Sequence, residues 1–301
     1  MAAGPGSEQV LALDIGGTKL AAAVVDGDGV VRGRRQVPTR GDDAEVLWGV
    51  VRGLLDEVRA GPTGSGLAPP VAVGVGSGGP MSPGGDELSP LNIPVWRGFP
   101  LKARLAAHLG VPVFVDNDAK ALALGEGWRG GARGARDYVA MVVSTGVGGG
   151  VVVDGRLLDG ASGNAGHIGH VIVEPDGRPC ACGGQGCLEA EASGPSIERI
   201  TGRPAIEADA ATIVRTGTLV GRAVASVAAL LDVPLALVAG SVALGFGAPF
   251  FAAAQEEIGR RARLDYARGT TIRPAGLGAE GPLIGAAAVA WRAVGRDIGV
   301  R

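Results

Sequence analysis

The sequence predicts an α/β protein built on a duplicated unit. Short apolar runs suited to buried strands alternate with segments of helical periodicity along the whole chain. In addition, LALDIGGTKLAAAVVDGDG (residues 11–29) has a counterpart in VAMVVSTGVGGGVVVDGRLL (residues 139–158). Both read strand, glycine–threonine loop, strand, turn. At 301 residues the chain has room for two domains.

Each element follows from local chemistry. LALDI predicts a buried strand, LAAAVVD a second and VVRGRRQVPT a third, with GDG as the turn between the last two. DDAEVLWGVVRGLLDEVRA predicts a helix capped by Asp42 or Asp43, with Val46, Leu47, Val50, Val51, Leu54, Leu55 and Val58 at helical spacing. GPTGSGLAPP, residues 61–70, is a connector. VAVGVGSGGPM is a strand entering a glycine loop, and LKARLAAHLG is a helix closed by Gly110. VPVFVDND is a strand that runs directly into the helix AKALALGEGW. DYVAMVVS, the loop TGVGGG and the strand VVVDGRLL follow. Helices are expected over about 194–231, a strand at LALVAG, and helices at PFFAAAQEEIGRRARL and GPLIGAAAVAWRAV.

Composition narrows the function. Lys+Arg 28 against Asp+Glu 30 gives no basic block for nucleic acid or an anionic membrane surface. Residues 233–255 form an uncharged run of membrane-spanning length. However, Pro234, Gly240, Gly245, Gly247 and Pro249 break it into a strand, a loop and a helix start. MAAGPGSEQV lacks the pattern of a signal peptide, so a soluble, cytoplasmic protein is expected. In a reducing compartment three clustered cysteines suit a metal better than a disulfide.

Three stretches carry chemistry. Each glycine loop follows a buried strand, where backbone N–H groups can converge on an anion. DIGGTK matches neither the P-loop nor the GxGxxG pattern, because no helix follows it. It is a hairpin turn, and two such turns in duplicated halves can grip one polyphosphate. Asp14 could hold Mg²⁺ on that phosphate, with Thr18, Lys19 and Thr145 as further donors. Asp116, Asn117 and Asp118 end a strand and begin a helix. They serve as a helix cap, or they place a carboxylate where it can take a proton from a hydroxyl. Cys180, Cys182 and Cys187 supply three thiolates in a Gly-rich stretch, with His167 and His170 as candidates for a fourth zinc ligand.

DIGGTK, STGVGGG and the cysteine cluster with its upstream GNAGHIGH together resemble the ROK family of repressors and sugar kinases, from about residue 10 to 292. The resemblance implies the two-domain actin-like ATPase (ribonuclease H-like) fold, with duplicated mixed sheets and an interdomain cleft. The smaller domain is then residues 1–116 plus 284–301, and the larger, zinc-binding domain is 117–283. It implies an ATP-dependent hexose kinase, with glucose first among acceptors and N-acetylmannosamine, N-acetylglucosamine, fructose or allose behind it. Asp118 would be the general base. Asn117, Asn92, Glu189 and the glycine turn at Gly79 would meet the sugar. Gly16, Gly17, Thr18, Lys19, Thr145, Gly146 and Gly240 would hold ATP with Mg²⁺ at Asp14. His170, Cys180, Cys182 and Cys187 would bind a structural zinc. A homodimer or homotetramer is expected.

Two positions depart from the family pattern. His167 stands where the kinases carry a sugar-binding Glu, and Lys120 replaces the last Asn of NDAN. They motivate a second reading, a catalytically weak sugar-binding regulator. A DNA-binding repressor is not expected, since only about ten residues precede the first strand and none form a basic recognition helix.

Overall fold

The computed structural model describes residues 8–61 and 69–301, so most of the expected connector lies outside the described residues. The chain opens with β1 (Gln9–Ile15), β2 (Lys19–Asp26), β3 (Val31–Pro38) and α1 (Ala44–Ala60). Next come β4 (Ala72–Ser77), α2 (Leu101–Leu109), β5 (Val113–Asn117) and α3 (Asp118–Arg129). The second series is β6 (Tyr138–Val143), β7 (Val147–Val153), β8 (Arg156–Leu157), α4 (Leu188–Ala192), α5 (Gly194–Thr201) and α6 (Ala210–Leu231). It ends with β9 (Leu235–Ala239), α7 (Ser241–Arg261) and β10 (Thr271–Pro274), before α8 (Gly281–Ala293).

The duplication is present in the sheets. The first has the order β3-β2-β1-β4-β5 and the second β10-β9-β6-β7-β8. In each, a hairpin and a third antiparallel strand lie on one side, and two parallel strands lie on the other. The sequence reading missed two strands: β8, two residues that it ran together with β7 across the turn at Asp154 and Gly155, and β10, whose four residues TIRP are too few to show a period.

The first unit comprises 1–133, Asp159–Asn164 and Ala279–Arg301. Helix α1 covers its sheet with Leu47, Trp48, Val51, Leu54, Leu55 and Val58, each worth about 2 kcal/mol of burial. Of the two expected caps, Asp43 is the one used, accepting from the N–H groups of Glu45 and Val46 at 2.8 Å. Helix α8 is buried along most of its length. Gly74 on β4 lets the Ala286 carbonyl of α8 come within van der Waals range. A Cβ at Gly285 would lie 2.6 Å from the Ala121 carbonyl of α3. This close fit keeps α3 with the first unit, so the break falls at 133/134 and not at the expected 116/117.

The second unit comprises Gly134–Leu158 and Ala165–Gly278. Its core includes α6 and α7, where Gly217 and Gly221 admit the carbonyls of Phe250 and Ala254. Among the described residues α6 is the one helix long and apolar enough to cross a membrane, and half of its most apolar window is buried within the fold. Residues 233–255 hold β9 and most of α7; the strand is where it was expected, but the expected glycine loop is the first turns of the helix, which starts at Ser241 directly after Gly240. Gly247, at φ 60°, kinks α7 just before Pro249.

Candidate active site and metal centre

In the first unit, β1 and β2 close through Gly16–Lys19, with the Gly16 N–H donating to the Lys19 carbonyl at 3.0 Å. Thr39 steadies this turn by donating its hydroxyl to the Gly16 carbonyl at 2.7 Å. Gly17, Thr18 and Lys19 are exposed. A Cβ on Gly17 would come 2.6 Å from the Asn92 Cβ, so the turn lies directly against Asn92. The Leu91 N–H donates to the Gly79 carbonyl at 3.2 Å, and a Cβ on Gly79 would sit 3.7 Å from Asn117 Nδ2. Gly17, Asn92, Gly79 and Asn117 therefore form one cluster. Trp96, near the same loop, is not part of it. It is fully buried, stacked on Phe99 at 4.4 Å between ring centres.

Asn117 caps α3, accepting from the Ala119 N–H at 3.0 Å, and Asp118 Oδ1 accepts from the same N–H at 2.8 Å. Asp116 Oδ1 accepts from the Asn117 N–H at 2.8 Å. The capping reading is thus correct for Asn117, while the Asp118 side chain is exposed. Asp14, Gly76 and Asp116 lie in register across three parallel strands. Gly76 has no side chain, and a Cβ there would reach to 3.7 Å from the Asp118 Cα. Burial, and after it the charge of Asp118, pushes the Asp14 carboxyl up to about 7, against the opposing pull of Lys19 and Arg34.

In the second unit the matching turn is shorter, Ser144–Gly146, with the Ser144 N–H donating to the Gly146 carbonyl at 2.9 Å. The expected glycine loop ran on through Gly150, but Gly148, Gly149 and Gly150 belong to strand β7. Their smallness serves a different contact. A Cβ on Gly149 would lie 2.9 Å from Ile168 Cγ2 and 3.0 Å from the Gly166 carbonyl, so the 166–170 turn lies flat on the strand.

The Ser144–Gly146 turn is framed by helix N-termini. The Gly194 N–H at the start of α5 donates to the Ser144 carbonyl at 2.8 Å. Ser144 and Ser241 hydroxyls meet at 2.9 Å. Gly240, at φ 101°, precedes α7 and packs on the backbone of Val143, where a side chain has no room. Glu189 Oε2 accepts from the Val147 N–H at 2.8 Å and lies against Gly146. Thr145, Gly146, Gly240 and Glu189 are therefore neighbours.

His170, Cys180, Cys182 and Cys187 bring one ligand atom each within 4.8 Å of one another. Cys180 Sγ is 3.7 Å from His170 Nδ1, and Cys182 Sγ is 3.7 Å from Cys187 Sγ. These separations fit the edges of a tetrahedron with metal–sulfur bonds of about 2.3 Å and are far too long for a disulfide. The cluster is consistent with structural zinc. His167 is outside it, exposed, with its ring centre 6.1 Å from that of His170. The metal loop is held to the fold by a contact that sequence reasoning missed. Buried Glu191 accepts from the Arg178 N–H at 2.7 Å and pairs with the guanidinium groups of Arg178 and Arg215. Burial pushes its carboxyl up, but these donors outweigh it and hold it below the ordinary value.

The chain is similar to known proteins over most of its length. It is 37% identical to an N-acetylmannosamine kinase from Citrobacter koseri, over 79% of this chain and 84% of that protein. It is 38% identical to a glucokinase from Halalkalibacterium halodurans, over 62% of this chain and 57% of that one. In structure it is similar to a ROK hexokinase from Thermus thermophilus, with a TM-score of 0.82 and 33% identity, covering 95% of this chain and 99% of that one. A ROK family glucokinase from Streptomyces griseus, solved with glucose and AMPPNP, has a TM-score of 0.79 and 28% identity, covering 93% and 98%. The ROK family model matches residues 10–293; the chain belongs to the ROK family, and these relatives that span most of it are sugar kinases.

Proposed function

We propose that this chain transfers the γ-phosphoryl group of ATP to a hydroxyl of a hexose or N-acetylhexosamine. One observation carries the reading: Asn117, Gly79, Asn92 and the Gly16–Lys19 turn gather beside an exposed carboxylate at the start of α3.

Asp118 is the general base. Its Oδ1 is held by the Ala119 N–H, and the other oxygen takes the proton of the attacking hydroxyl. Asn117, Asn92 and Gly79 orient the acceptor, with the amides discriminating among ring hydroxyls. Glu189 spends Oε2 on the Val147 N–H and offers Oε1 to a sugar hydroxyl. His167 faces the same task from the neighbouring turn.

Each unit's hairpin turn offers backbone N–H groups to phosphate: Gly16 and Gly17 with Thr18 and Lys19 in the first, Thr145 with Gly146 in the second. Gly240 starts a helix whose N-terminus favours an anion. The raised Asp14 carboxyl beside Asp118 suits a divalent cation, and Mg²⁺ there would offset charge on the phosphates. Zinc at His170, Cys180, Cys182 and Cys187 would cross-link the loop leading to Glu189 and take no part in the chemistry.

Glucose is the first acceptor to test. N-acetylmannosamine stands beside it because the relative at 37% identity over 79% of the chain is a kinase of that sugar. The test is sugar-dependent ADP release, with ATP and Mg²⁺, across hexoses and N-acetylhexosamines. Release with a sugar is expected. Sugar binding without turnover in folded, zinc-loaded protein would replace the kinase with a sugar-binding regulator.

A further inference from the structure

Lys120 is 3% exposed, and its ammonium meets three acceptors. Asp116 Oδ1 lies at 3.0 Å, Asp159 Oδ1 at 2.6 Å and the Gly163 carbonyl at 3.3 Å. The ammonium donates hydrogen bonds to the last two and is ion-paired with the first.

The last two acceptors lie on a strap, Asp159–Asn164, that packs with the first unit although the chain on either side of it packs with the second. Residues 159–162 are exposed, and the strap buries no apolar side chain. Within it, the Gly163 N–H donates to the Gly160 carbonyl at 3.3 Å and Asn164 Nδ2 to the Ser162 carbonyl at 3.0 Å. Among the described residues, Lys120 supplies the hydrogen bonds that tie the strap to α3. Its third partner, Asp116, holds the N–H of Asn117, and the strap runs within three residues of His167.

We propose that Lys120 is a positioning residue for the acceptor sugar, tying the strap to the first turn of α3 and so setting the sugar KM. This rests on the kinase reading above. Lys120 touches neither substrate; it acts through Asp116 and the strap.

The test is Asp159→Asn, which leaves Lys120 paired with Asp116 and orphans no buried charge, since Asp159 is 59% exposed. The sugar KM is expected to rise roughly tenfold, the loss of one charge-assisted hydrogen bond, while kcat and the ATP KM stay within about twofold. Asp159→Glu, which keeps the carboxylate, should recover most of the loss. Limited proteolysis should cut Asp159→Asn faster within 159–164. Lys120→Met, where it folds, should give the larger sugar effect. An unchanged sugar KM in Asp159→Asn, or an equal rise for both substrates, overturns the inference and leaves the kinase reading standing. Wild-type protein that neither binds nor phosphorylates any sugar removes both.

Discussion

Asp14 and Asp118 are linked through Gly76, which is in register with Asp14 and where a Cβ would sit in contact with the Asp118 Cα at 3.7 Å. The proximity contributes to the raised Asp14 carboxyl and gives each residue a separable prediction.

Asp118→Asn keeps the shape and the capping oxygen but cannot take a proton. Turnover should fall by roughly 10²–10⁴-fold, with sugar binding by calorimetry nearly unchanged. Turnover near the wild-type value would remove Asp118 as the base.

Asp14 carries a pH signature. Its folded value is about 7 against an ordinary 3.8, so the folded chain keeps a proton that the unfolded chain releases. That contribution to stability is full below the ordinary value, is lost as pH rises to about 7, and changes little beyond. Asp14→Asn escapes the loss. It should be more stable than wild type at pH 8, by a few kcal/mol at most, while losing activity. In the wild type, the Mg²⁺ needed for half-maximal rate should fall between pH 6 and 8 as the carboxylate ionises. Equal denaturation midpoints for the two proteins at pH 8 would count against the buried-carboxyl account.

Metal analysis of protein purified without chelator should find about one zinc per chain, and Cys182→Ser should lose it with a lower Tm. Folded, metal-free wild type of unchanged Tm would rule the site out.

Gly17→Ala tests the contact with Asn92. Its Cβ would sit 2.6 Å from the Asn92 Cβ on an exposed turn, so Asn92 must shift. The expected result is a folded protein with a sugar KM raised about tenfold. An unaltered KM would separate Asn92 from the acceptor.

His167→Glu should change the ranking of sugars in the ADP-release panel, because a carboxylate only accepts hydrogen bonds where imidazole can also donate. An identical ranking would show that this position does not choose the acceptor.

Residues adjacent in sequence were the legible ones. The cap, narrowed to Asp42 or Asp43, the helical stripe of α1 and the two hairpins are local, and a single pass along the chain finds them. The spacing of Cys180, Cys182 and Cys187 pointed to a metal for the same reason. Harder were positions whose meaning comes from distant partners. Gly148–Gly150 look like a loop until the 166–170 turn is seen lying on them. Lys120 finds Asp159 across 39 residues, and Glu191 finds Arg215 across 24. No local pattern announces such pairs. Short β8 and β10 escaped because two and four residues cannot display a period.

Helix α8 also bears on how the protein is made. The first unit's sheet packs against a helix that is translated after the whole second unit, from residue 281 onward. At ribosomal speeds of roughly 5–20 residues per second, strand β4 waits on the order of ten seconds or more for the partner that covers Gly74. The second unit, complete by residue 278, can consolidate first. The unit begun first is therefore the one completed last.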